Sequence, residues 1–263
     1  MVKQNKKYKI GLVLSGGGTR GFAHLGALKA LNEVGIFPDV ISGVSAGAIA
    51  GALYADGHTP DQILKLFSET KIYKYFEIII PKKGLLRMTG ISRIVSQNLK
   101  SKTFEELTIP LIVVATDLNN GKSVYFEKGD LLKPLLASAC VPVLFSPMKI
   151  DNSFYVDGGV INNFPVEPIV NQCNNLIGIH VNPFGYQEEF NSILSIAERS
   201  FHLSFSTHMI KKTKCDIFIE PVGLNKYRLL EVSKIKEIYK LGYKETKKIL
   251  SENKEKVAEM LLE

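Results

Sequence analysis

The sequence predicts an α/β fold, a three-layer α/β/α domain with a mostly parallel central sheet, and three observations carry that expectation. Apolar, β-branched runs at Ile10–Leu14 and Asp39–Ser42 each lead into a glycine-rich corner, Gly16–Gly21 and Gly43–Gly47. Each corner is followed by a helix-like apolar pattern, from Ala23 to Leu31 and from Ala48 through Ala52. Strand, loop and helix repeated in this way are the mark of parallel strands joined by helical crossovers.

In chain order, the first strand is Ile10–Leu14, the first helix ends near Gly35, and the second strand enters the corner at Ser45. Thr59-Pro60-Asp61 starts a short helix through Phe67, with proline where its missing N–H costs nothing. From Lys71 to Lys102 the alternation lapses: Tyr73, Tyr75, Phe76, Ile78 to Ile80 and Leu85-Leu86 read as an irregular insertion or cap. Leu111–Ala115 is a strand reaching Asp117, and Asn119-Asn120-Gly121 turns it into a hairpin with Ser123–Glu127. Leu131–Cys140 reads as a helix stopped by Val141-Pro142, and Phe154–Val156 as a short strand ending in Asp157-Gly158-Gly159. A helix over Pro165–Gln172 and a strand over Leu176–Val181 follow. Ser192 is placed to cap a long helix from Ile193 to about Lys212, Cys215–Glu220 is a strand, and helices Glu231–Leu250 and Glu252–Leu262 close the chain. With no repeat, low-complexity tract or linker, residues 1–263 are read as one domain, with its motifs in 9–182, the cap in 71–102 and a C-terminal part in 183–263.

A hydrophobic content of 45% with 22% charged residues excludes disorder. Three scattered cysteines, Cys140, Cys173 and Cys215, with no C-x-x-C spacing, exclude a disulfide framework and a zinc site and point to a reducing compartment. The basic start is followed by an apolar run too short for a signal segment or a membrane span, so a cytoplasmic protein is expected. Between Lys71 and Lys102 lie eight basic residues (Lys71, Lys74, Lys82, Lys83, Arg87, Arg93, Lys100 and Lys102) against the single acid Glu77, a surplus that equals the +7 of the whole chain. No nucleic-acid partner is expected; a basic, apolar cap fits peripheral contact with an anionic membrane surface, at the inner face of the membrane.

Two corners carry candidate chemistry. Gly43-Val44-Ser45-Ala46-Gly47 matches the G-x-S-x-G elbow, in which the central serine stands at a strained strand-to-helix turn, and Ser45 is the candidate nucleophile. Gly16, Gly18 and Gly21 match G-x-G-x-x-G, a dinucleotide fingerprint whose acid, about twenty residues on, would be nearest Asp39. The same loop also fits an oxyanion hole built from Gly17, Gly18 and Arg20, because glycine amides at a helix N-terminus stabilise a developing anion. The serine elbow beside it favours this second reading. None of the five histidines (His24, His58, His180, His202, His208) has the strand-end loop setting of a general base. Asp157 has that setting, but a carboxylate must be partly desolvated and bonded directly to the serine to serve as its base.

With these residues assembled, the chain resembles the patatin-like phospholipase family, in particular its small bacterial members. The resemblance lies in G-G-G-T-R-G at Gly16–Gly21, G-V-S-A-G at Gly43–Gly47 and D-G-G at Asp157–Gly159. It extends through A-T-D-L at Ala115–Leu118, A-S-A-C-V-P at Ala137–Pro142 and Y-V-D-G-G-V-I-N-N-F-P-V at Tyr155–Val166, covering residues 9 to 182. It implies a Ser–Asp dyad at Ser45 and Asp157, an oxyanion hole on Gly16, Gly17, Gly18 and Arg20, and motif glycines at Gly21, Gly43, Gly47, Gly158 and Gly159. The expected activity is that of a serine lipid acyl hydrolase acting on phospholipid, lysophospholipid or another fatty acyl ester, with no metal or cofactor. The rival readings are a non-catalytic lipid- or membrane-binding module of the same fold, an acyltransferase, and a nucleotide-binding protein.

Overall fold

In the computed structural model, which describes residues 6–69, 88–183, 185, 189–190, 196, 199–200, 203, 215–229 and 231–262, the first apolar run forms β1 (Tyr8–Leu14) and the second β2 (Val40–Val44). The chain continues through α1 (Phe22–Glu33) before β2, and then α2 (Ala46–Ala55), α3 (Pro60–Glu69), α4 (Thr89–Asn98), β3 (Leu111–Asp117) and β4 (Lys122–Phe126). After these come α5 (Leu132–Ser138), β5 (Met148–Ile150), β6 (Ser153–Asp157), β7 (Cys173–Ile179), β8 (Ile217–Ile219), α6 (Ile235–Glu252) and α7 (Lys254–Leu262).

The strands form one sheet in the order β5-β6-β3-β2-β1-β7-β8, with β4 paired to β3. From β3 to β8 every pairing on that path is parallel, while β4, β5 and β6 add an antiparallel margin. Leu14 lies opposite Gly43, so both glycine corners leave the sheet at the same edge. Neighbours β2 and β7 flank β1 on opposite sides, which makes the carboxyl end of β1 the switch point at which open α/β sheets build their sites.

Alternation along the strands buries both faces. Leu12, Leu14, Ile41, Leu111 and Val113 join a core shared with α1, α2, α3, α4 and α6, while Val13, Val40 and Ile112 pack on Phe164, Val166 and Ile169. Helix α6 lies directly on α1. A Cβ at Gly26 would overlap the carbonyl oxygen of Tyr239, and one at Gly242 the carbonyl oxygen of Ala23, so the two helices meet backbone to backbone.

Three expectations change. Residues 70–87 of the expected cap lie outside the described residues, but Thr89–Asn98 is helix rather than irregular chain, with Gly90, Ile94 and Val95 turned inward at helical spacing. Pro165–Gln172 is not a helix. Pro168 has no N–H to donate, and the Val166 carbonyl accepts from both Ile169 and Val170 at 3.1 and 2.9 Å, giving successive turns that lay Val166 and Ile169 on the sheet. Strand β5 was not anticipated; it pairs with β6 to lengthen the margin. The helix expected over Ile193–Lys212 lies almost wholly outside the described residues.

Candidate active site

Strand β3 brings the site together. Strand β4 occupies one of its edges from Val113 to Asp117. The opposite edge is divided: β2 pairs with Leu111 to Val114 and β6 with Ala115 to Asp117. Val44 therefore stands opposite Val114 and Asp157 opposite Ala115, and β2 and β6, which run in opposite directions, meet with their carboxyl ends together. Ser45 and Asp157 become neighbours for that reason.

At the elbow Ser45 adopts φ 54 and ψ −124, a conformation that costs a non-glycine residue about 1–3 kcal/mol and persists only when its surroundings impose it. Its surroundings do so. The Ser45 N–H donates to Ser138 Oγ at 2.8 Å, and the Ser138 hydroxyl donates to the Val114 carbonyl at 2.6 Å, tying the turn to β3. A Cβ at Gly47 would come within 2.5 Å of the carbonyl oxygens of Leu14 and Ser15, and one at Gly43 within 2.9 Å of Ala48 Cα, so the reversal is too tight for side chains there. Gly21 packs the glycine loop on Ala46 in the same way.

The carboxylate of Asp157 faces the Ser45 hydroxyl, which favours its charged form, and accepts from the Gly159 N–H at 2.8 Å, while the Asp157 N–H donates to the Cys140 carbonyl at 2.8 Å. Burial raises its pKa to about 7 against the opposing pull of the Ser45 hydroxyl and the Gly159 N–H. Gly158 lets this turn pass under the Val114 carbonyl, and Gly159 faces Asn163. The described histidines have other partners. His24, buried and with its pKa lowered to about 4 by that burial, sits on the Ser15 carbonyl; His180 is bonded to Glu220, and His58 to the Leu53 carbonyl. His202 and His208 lie outside the described residues. Burial, and then the Asp157 charge, push the Cys140 thiol up to about 12, so it is no competing nucleophile.

In the glycine loop, Gly17 and Gly18 keep amide N–H groups with no partner among the described residues, at the start of the 3₁₀ turn that leads into α1. Gly16 and Arg20 are placed differently from the direct oxyanion donors the sequence led us to expect. The Gly16 N–H donates to the Asn163 carbonyl at 3.3 Å and the Arg20 N–H to the Gly17 carbonyl at 3.1 Å. The Arg20 guanidinium is buried, with Nε donating to the Tyr227 carbonyl at 2.8 Å. Thr19 is held by the carbonyls of Arg228 and Leu229, so the segment before α6 brackets the loop from outside. The dinucleotide reading loses its acid: Asp39 accepts from the Ile10 N–H at 2.7 Å, at the end of the sheet opposite the loop.

Sequence reasoning assigned no role to Ser138, Asn163 or Tyr227–Leu229. The signal for Ser138 was a hydroxyl within the apolar run Leu135-Leu136-Ala137, in a motif already noted; for Tyr227–Leu229 there was none. Beside Ser45 opens an apolar cavity of about 120 Å³, bounded by Phe22, Ile49, Phe67, Val141, Phe145 and Leu229 among others.

These features define an α/β protein with an elbow serine beside a buried carboxylate, next to glycine amides that have no partner among the described residues. The patatin-like phospholipase family model matches residues 12–170, and the chain belongs to that family. An uncharacterised NTE family protein of Mycobacterium tuberculosis is 34% identical over 170 residues, covering 64% of this chain and 47% of its own length. Patatin-like phospholipase domain-containing protein 7 of Rattus norvegicus is 27% identical over 273 residues, covering 89% of this chain and 20% of its own. The chain thus spans half or less of these relatives. Of solved structures, VipD from Legionella pneumophila shares the fold, with a TM-score of 0.55 at 15% identity over 94% of this chain and 67% of that one.

Proposed function

We propose that the domain is a serine lipid acyl hydrolase of the phospholipase A, lysophospholipase or esterase type. Asp157 takes the Ser45 proton as Oγ attacks the ester carbonyl, and the N–H groups of Gly17 and Gly18 hold the oxyanion. Collapse expels the alcohol, which recovers the proton from Asp157, and water activated by the same carboxylate then releases the acyl group as a fatty acid. Arg20 and Gly16 position the loop. One observation carries this reading: β3 sets a strained elbow serine beside a buried carboxylate whose pKa is raised to about 7, near the value a general base needs at neutral pH. The apolar cavity supports a fatty acyl ester as substrate, and the basic surplus of the chain supports an anionic membrane surface as the place where it is met.

The test is labelling with a fluorophosphonate. Wild-type protein is expected to label and Ser45→Ala to remain unlabelled; Asp157→Asn is expected to fold but lose ester hydrolysis, and the double variant to be little worse than either single one. Near wild-type hydrolysis by Asp157→Asn would overturn the dyad.

A further inference from the structure

We propose that the cavity beside Ser45 selects acyl chains by length and closes after about six carbons, with Leu25 and Ile63 as its end wall. The proposal rests on the reading of Ser45 as nucleophile. Helix directions decide which end is closed. Phe22, the first residue of α1, meets Phe67 edge-to-face at 5.4 Å, whereas Lys29, a further two turns on, is paired with Asp61 in the first turn of α3 at 2.8 Å. The two helices are therefore antiparallel, and Leu25 and Ile63, both buried and both lining the cavity, lie between those levels. Helix α2 leaves the same sheet edge as α1, with Gly21 against Ala46, so passing from Ser45 to Ala50 runs in the same direction as passing from Phe22 to Leu25.

Along α2 the lining stops at Ala50, about 7.5 Å from Ser45 at 1.5 Å per residue. Below Leu25 and Ile63 comes the Lys29–Asp61 ion pair, where an apolar chain gains nothing. The volume agrees with the depth: about 120 Å³ is slightly less than the roughly 150 Å³ of an engineered cavity that admits benzene, a six-carbon guest. Among the described residues the lining carries no polar side chain apart from Ser45 and Thr19, so the alcohol portion of the ester stays at the mouth while the acyl portion enters.

The full chain is assayed with p-nitrophenyl esters from acetate to palmitate, comparing kcat/KM for wild type, Ile63→Ala and Ala50→Leu. Wild type is expected to peak near hexanoate. Ile63→Ala should move the peak to a longer chain and raise kcat/KM for decanoate by about tenfold or more, and Ala50→Leu should move it to a shorter one. Leu25→Ala serves as a second lengthening variant if Ile63→Ala does not fold. Profiles that coincide among folded, active proteins overturn the selector, as does a wild-type peak at palmitate. Failure of wild type to label with a fluorophosphonate overturns the nucleophile reading instead, and the selector with it.

Discussion

At Asp157 burial opposes ionisation, and two measurable consequences of opposite sign follow. The folded protein holds this proton at about 7, above the 3.8 of an ordinary aspartate, and so binds it more tightly than the unfolded chain does. That stabilisation is whole below about pH 4 and is lost as the pH rises through about 7, a loss on the order of 4 kcal/mol. Catalysis needs the ionised form, so kcat/KM for a short soluble ester should climb with pH and level off above about 7. Asp157→Asn carries no titrating group; its Tm should gain on that of wild type by several degrees between pH 5 and pH 8.5. Melting curves that keep the same gap across that range would show that the carboxyl is not held neutral by its surroundings.

Among the helices, the crossing of α1 on α6 links stability to the site. Because Gly26 and Gly242 let the two backbones touch, an alanine at either position must push the helices apart. Overpacking of this kind costs about 1–3 kcal/mol, so Gly26→Ala should lower Tm by several degrees, as read by calorimetry. The chain just before α6 also supplies the carbonyls that hold Thr19 and Arg20, so displacing α6 should loosen the glycine loop and lower kcat more than it changes KM. A wild-type Tm for Gly26→Ala would mean that the helices do not meet at this contact.

For the whole molecule, the surplus of +7 is matched by the segment from Lys71 to Lys102, most of which lies outside the described residues. No helix among the described residues is long and apolar enough to cross a membrane. Basic residues near an anionic surface contribute about 1 kcal/mol each, within a Debye length. Replacing Lys74, Lys82, Lys83 and Arg87 by Gln should therefore weaken binding to phosphatidylserine vesicles, and added salt should do the same to wild type, with hydrolysis of a short soluble ester unchanged. Equal vesicle binding by variant and wild type at low salt would make this segment ordinary surface.

The two βα corners and the Asp157-Gly158-Gly159 turn were legible in the sequence because the demand there is local. A backbone that must reverse at Ser45 against Leu14 and Ser15 excludes side chains at fixed neighbouring positions, and glycines record this along the chain. Helix α4 was concealed by the aperiodic, charge-rich sequence before it, and the turns over Pro165–Gln172 imitated a helix in their apolar spacing. No local pattern states that β2 and β6 share one edge of β3, yet that sharing sets Ser45 beside Asp157. Nor does any local pattern state that Arg20 reaches back to the Tyr227 carbonyl, or that Leu25 meets the level of Ile63. Turn geometry depends on the few residues that make the turn; register, helix crossing and the reach of a buried arginine depend on partners far away in the chain, which take their places only when the sheet has formed.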